Sequence, residues 1–205
     1  VTVAGLGLNW KGAQEHSGGT TFRNGASAEL NWETGDPNTY GNPLGTGTLT
    51  LDNSDIIVRT SFDRVWGNDV HVIGTVQLRA MHNANRNMTQ TFGHLTMDSN
   101  SFTMYSRSYS RFRTAFSGAT LNLPGKANLH LRDNLRAATF DGNIDGAGGL
   151  LLTSDSMNWS FHLNGAGNFD GDVEMREVIV NANAAGSLGG GQVIVDANAT
   201  LNINA

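Results

Sequence analysis

The sequence predicts an all-β fold, a right-handed parallel β-helix (β-solenoid), laid out as one domain over residues 1–205. Three observations predict it: the composition, a succession of short alternating runs, and an internal echo. Charged residues make up only 15% of the chain and hydrophobic residues 39%. Gly, Asn, Ser and Thr fill the difference, and Lys11 and Lys126 are the only lysines. Good helix formers are therefore scarce, and no segment reads as a helix. The 26 glycines are spread along the chain, where they punctuate short strands. Abundant Val, Ile, Leu, Thr and Phe supply a core and argue against disorder.

The alternating runs follow one another closely. They are Thr48–Leu51, Ile56–Arg59, Val70–Ile73, Val76–Arg79, Leu95–Met97, Phe102–Tyr105 and Ala119–Leu123, then Asn128–Leu131, Leu150–Thr153, Trp159–Leu163, Val173–Met175, Val178–Val180, Val193–Val195 and Thr200–Ile203. A period of two turns one face inward and one outward. Turns such as Asp52-Asn53-Ser54, Asp98-Ser99-Asn100 and Asp196-Ala197-Asn198 separate them, and such residues tolerate left-handed backbone. Neither Asn24-Gly25 nor Asp141-Gly142 lies between two long alternating strands, so a hairpin meander is disfavoured. The echo aligns Leu44-Gly-Thr-Gly-Thr-Leu-Thr-Leu-Asp52 with Leu188-Gly-Gly-Gly-Gln-Val-Ile-Val-Asp196. The hand rests on the rule for parallel crossovers. Two stretches are expected to bulge from a regular coil: Asn-rich Met81–Gln90 and Tyr105–Phe116, rich in Arg and aromatics.

Composition also excludes functions. There is no cysteine, hence no disulfide, Cys-ligated zinc or thiol chemistry. The net charge of −5 offers no whole-chain attraction for nucleic acid or anionic lipid, and no nucleic-acid partner is expected. No run of 18 apolar residues occurs, so no spanning helix is expected. The chain opens on Val-Thr-Val, as expected of a mature product or a piece of something longer.

Two segments resemble the autotransporter-associated β-strand repeat of large bacterial surface proteins. One is residues 17–51, with Ser17-Gly-Gly-Thr-Thr21, Asn24-Gly25-Ala26 and Pro43-Leu-Gly-Thr-Gly-Thr-Leu-Thr-Leu51. The other is about residues 142–203, with Gly142-Asn-Ile-Asp-Gly-Ala-Gly-Gly-Leu150, Leu163-Asn-Gly-Ala-Gly167 and Leu188 onward. The middle matches in texture only. The first copy departs from the pattern through an insertion at 33–42, and the second through Asp172-Val-Glu-Met-Arg176. The resemblance implies a β-helical passenger, exported and displayed or released by a bacterium with an outer membrane. The C-terminal Ala199-Thr-Leu-Asn-Ile-Asn-Ala205 would run naturally into Val1-Thr-Val, so open ends that stack on a neighbour are expected.

No chemistry converges in the sequence. None of the six histidines forms a close pair with ligand spacing, and no HExxH, GxSxG or P-loop occurs. No cofactor, no metal and no catalysis are expected. Asp170, Asp172 and Glu174 could face a calcium ion, but a solvated acidic face explains them as well. Asp141 with Asp145, or Asp170 with Asp172, could supply a sugar-cleaving pair, so a carbohydrate-binding or carbohydrate-cleaving β-helix is the alternative function. The best candidate binding surface is Tyr105, Arg107, Tyr109, Arg111, Phe112 and Arg113, where arginines and aromatics interleave and could take surface glycans. The competing reading puts these aromatics in the core and the arginines outside. The leading expectation is a structural solenoid, either a segment of a surface adhesin or a self-assembling filament subunit.

Overall fold

A strand that alternates apolar and polar side chains buries one face, and a chain of such strands can stack them coil upon coil. The computed structural model describes residues 1–5, 7–11, 16–32, 42–60, 62–81, 87–106 and 111–205, with backbone only at 10, 11, 31 and 32. Twenty-four strands and no helix lie among the described residues. The chain begins with β1 (Thr2–Ala4), β2 (Gly7–Lys11), β3 (Thr20–Arg23) and β4 (Ser27–Trp32). Strands then come in threes: β5 (Leu49–Asp52), β6 (Asp55–Thr60) and β7 (Arg64–Val65); β8 (Val70–Val72), β9 (Val76–Met81) and β10 (Asn87–Thr91). Next are β11 (His94–Met97), β12 (Ser101–Ser106) and β13 (Arg111–Phe116); β14 (Gly118–Leu121), β15 (Lys126–Asp133) and β16 (Leu135–Phe140). The last are β17 (Ile144–Gly146), β18 (Gly149–Ser154) and β19 (Ser160–Leu163); β20 (Gly167–Phe169), β21 (Val173–Arg176) and β22 (Ile179–Ala182); then β23 (Val193–Val195) and β24 (Thr200–Ile203).

These strands form three sheets, and every pairing is parallel. The first sheet runs β1-β3-β5-β8-β11-β14-β17-β20, the second β2-β4-β6-β9-β12-β15-β18-β21-β23, and the third β7-β10-β13-β16-β19-β22-β24. Each strand therefore pairs with the same-sheet strand one coil away, which is the architecture of a β-solenoid of about eight turns. Coil length varies from 19 residues (Thr2 opposite Thr21) to 29 (Thr21 opposite Thr50), and the corners absorb the difference. The echo of Leu44–Asp52 in Leu188–Asp196 is not a coil repeat. Its two strands, β5 and β23, stand in different sheets.

The interior is a set of axial columns. In the second sheet Val76, Phe102, Leu129, Leu152 and Met175 lie directly opposite one another in turn, all fully buried. Burying each such side chain stabilises the fold by roughly 1.5–3 kcal/mol. Along the trailing edge of the third sheet an aromatic stack runs Trp66, Phe92, Phe116, Phe140, with successive ring centroids 6.3, 5.8 and 5.5 Å apart. Trp66 Nε1 donates to buried Gln90 Oε1 at 2.8 Å, which satisfies the indole inside the core.

Of the two expected bulges, residues 82–86 and 107–110 lie outside the described residues. The parts that follow them are strands β10 and β13, in which Met88, Gln90, Phe112, Thr114 and Phe116 turn inward and are buried. Glycine is required where coils touch through backbone at the corner between third and first sheets. A Cβ on Gly165 would sit 2.2 Å from the carbonyl carbon of Gly142, and one on Gly142 would sit 2.0 Å from the Ser117 oxygen.

Candidate functional site

Three surfaces follow from this frame: the outer face of the third sheet, the polar corners, and the C-terminal end. The predicted binding residues divide between inside and outside. Tyr105 ends on the second sheet and is only 4% exposed, with the guanidinium of Arg79 4.6 Å from its ring centroid and that of Arg132 at 5.9 Å. Phe112 is fully buried in the core. Neither aromatic is free to stack on a ligand: the two guanidiniums cover Tyr105, and the period-two pleat that sends Arg111 and Arg113 outward sends Phe112 inward. Arg107 and Tyr109 lie outside the described residues.

Arg111 and Arg113 stay exposed at the start of β13. The register between β13 and β16 slips at Phe112/Arg113, where Phe112 faces Leu135 and Arg113 faces Ala137. The extra residue is Arg136, exposed beside them. Among the described residues, Arg111, Arg113 and Arg136 make no salt bridge. Sequence reading misses Arg136, since a bulge leaves no compositional mark. A signal was available in the charge distribution. Residues 60–140 carry nine Lys/Arg against four Asp/Glu, whereas residues 141–205 carry eight Asp/Glu against Arg176 alone. Residues 1–59 carry six Asp/Glu against three Lys/Arg.

The corners are lined with side-chain ladders. Asn164 donates to Asp141 Oδ1, Asn183 to Asn164 Oδ1 and Asn204 to Asn183 Oδ1, each at 2.8 Å. Each rung repeats one coil along the axis. Asn168 donates to Asp145, and Asn202 to Asn181. The candidate pair Asp141 and Asp145 is thus tied into asparagine ladders. Asp98 accepts from Asn122 at 2.8 Å and contacts His71 at 2.6 Å, and these bonds hold its carboxyl below the usual carboxylate range.

The other titratable candidates are also engaged. Glu174 is bound by Lys126 at 3.0 Å and by Arg176, which together lower its pKa. Lys126 also lies 3.8 Å from Asp172. His94 meets Thr120, His130 meets Thr153 and Asp155, and His162 meets Ser160 at 3.0 Å. Burial, with Arg113 nearby, pushes the His162 pKa down. Asp55 runs the other way, since burial raises its pKa against the opposing effect of Arg79. Among the described residues no three His, Asp or Glu side chains gather as a cation site.

The C-terminal end presents the interior in cross-section. The second-sheet column of Leu152 and Met175 continues to Val195, which is 44% exposed. The third-sheet column of Phe140, Leu163 and Ala182 continues to Ile203, which is 69% exposed. Val193 opposite Val173 is 41% exposed in the same way. β23 and β24 each pair on one side only. The asparagine ladder also ends here, at Asn204. At the other end β1 and β2 are the outer strands, with Val3 and Leu8 partly buried against the core.

No family model, curated protein or solved structure matches this chain.

Proposed function

We propose that this chain is a structural β-solenoid whose ends receive further β-helical coils, as in an extracellular passenger or filament on a bacterial surface. One observation carries the reading: inward-facing Val193, Val195 and Ile203 are uncovered at an end whose backbone edges and asparagine ladder have a free side. A next coil would bury those side chains, extend two parallel sheets by about 4.8 Å and accept the ladder's next rung. Such an edge is a template for strand addition. For the isolated chain, a second copy is the occupant, its β1 and β2 edge meeting β23 and β24. The alternating outer faces of Thr, Asn and Ser suit display and stiffness. The carbohydrate-cleaving alternative loses support from the engagement of Asp141, Asp145, Asp172 and Glu174 by neighbouring side chains or backbone.

The test is sedimentation velocity over a concentration series, with electron microscopy of the same samples. The expected result is growth into unbranched single-solenoid rods that persists at high salt, because burial of Val193, Val195 and Ile203 drives it. At high salt the double variant Val195→Asp/Ile203→Asp is expected to remain monomeric, with an unchanged far-ultraviolet spectrum. A wild-type chain that stays monomeric at high concentration and high salt would overturn the proposal.

A further inference from the structure

The corner between the second and third sheets carries charge of opposite sign along its length. Consecutive corners stack there: Asn134 N–H donates to the Ser106 carbonyl and Asp155 N–H to that of Leu131. Farther on, Ser154 Oγ donates to the Glu177 carbonyl and Asp196 N–H to that of Met175. Flanking the earlier corners are Arg111, Arg113, Arg132 and Arg136, with Asp133 the one carboxylate among them, all exposed. On the following three corners are Asp155, Glu177 and Asp196, also exposed. These carboxylates rim an open cleft of about 560 Å³, which His130 and Arg176 also line. Asp155 is shared with His130 at 3.1 Å and Arg132 at 3.9 Å, and Asp196 with Arg176 at 3.4 Å. Glu177 has no ion-pair partner among the described residues. Met157, 60% exposed, stands beside Glu177 in an adjoining hollow.

We infer that a second copy of this chain docks along this ridge, side by side and antiparallel. The arginines of each copy then lie on the acidic cleft of the other. The argument is one of complementarity. Arg136 and Glu177 are two coils apart, about 10 Å along the axis. A two-fold axis crossing the ridge between them brings plus to minus twice over, which is the isologous geometry of a closed dimer. A polyanion lying along the same ridge meets Asp155, Glu177 and Asp196 within a few coils, and those repel it. Among the described residues Arg111, Arg113 and Arg136 have no counter-ions to give up, so pairing them across copies costs no salt bridge there. The pairing uses the side of the solenoid and does not depend on what covers its ends.

The two modes separate by their response to salt. Axial stacking buries the uncovered Val193, Val195 and Ile203 and withstands screening, whereas ridge pairing joins opposite charges and is weakened by it. The experiment uses the full chain carrying Val195→Asp/Ile203→Asp, so that ends are blocked, in sedimentation velocity at low and high salt. The expected result is a dimer at low salt that dissociates at high salt. Adding Arg113→Glu/Arg136→Glu weakens the dimer by about tenfold or more, taking exposed pairs at roughly two- to fivefold each. Adding Glu177→Arg/Asp196→Arg to that variant restores it by exchanging the signs. Monomers at low salt, a dimer indifferent to the arginine changes, or failure of the exchanged signs to restore pairing would each overturn the inference. So would a chain that stays monomeric while a sulfated polysaccharide binds Arg113 and Arg136. None of these outcomes bears on end stacking, which the unblocked chain reports at high salt.

Discussion

Replacing Phe116 with alanine tests the register of the third sheet and the aromatic column at once. Phe116 has no exposed surface and packs against Phe92 at 5.8 Å, Phe140 at 5.5 Å and Phe102 at 6.2 Å. Phe→Ala in a core costs about 3–5 kcal/mol, of which the cavity term is about 24 cal/mol per Å³ left unfilled. Three ring contacts of roughly 0.5–1.5 kcal/mol each place Phe116→Ala near the top of that range, about 4–5 kcal/mol. Rings above and below belong to different coils and are held by their own ladders, so the gap collapses poorly. Phe116→Leu keeps most of the volume and is expected to cost about 1–1.5 kcal/mol. Urea unfolding followed by circular dichroism measures both. A loss below about 1.5 kcal/mol for the alanine variant would show that Phe116 is not central to a stacked column, and the strand assignment around β13 would fall with it.

Two further predictions concern the corners and pH. Gly165→Val is expected to unfold or sharply destabilise the chain, because its Cβ would overlap the Gly142 backbone in the coil before; Gly25→Ala, at φ 75° but with open space around it, is expected to be milder, and thermal melts rank the two. Acid is expected to weaken the fold in two stages. The lowered pKa of His162 means that the unfolded chain binds that proton first, so stability present above about pH 6.5 falls as pH drops through that value. The depressed pKa of Asp98 adds stability present above about pH 4 and lost as pH falls through the folded-state value. Urea midpoints against pH for His162→Gln and Asp98→Asn check each stage, and a variant that keeps its stage removes that residue from the account.

The sequence is most legible in the second sheet. Asp55–Thr60, Val76–Met81 and Lys126–Asp133 alternate cleanly, and the structure buries their alternate residues. The third sheet is harder to read. β10 and β13 turn Gln90 and Thr114 into the core, so an apolar count sees polar loops there. Gln90 is tolerated inside because Trp66 donates to it, a contact 24 residues away that local pattern does not reveal. The candidate site is half legible for the same reason. Interleaved Arg and aromatic residues mark a strand with two different faces, and only tertiary burial says that Phe112 belongs inside and Arg113 outside. The echo between Leu44 and Leu188 misleads because Gly-rich corners resemble one another whichever sheets they join.

The direction of the hydrogen bonds has a mechanical consequence. In all three sheets they run from one coil to the next, along the axis. Tension applied between the two ends therefore loads them in line and opens rungs singly, beginning at an outer edge, rather than shearing a whole strand pair together. Each coil released would lengthen the chain by about 60–100 Å for 19–29 residues at full extension. Because coil lengths differ, the steps would differ too, and their order in a force–extension trace would tell from which end the solenoid peels.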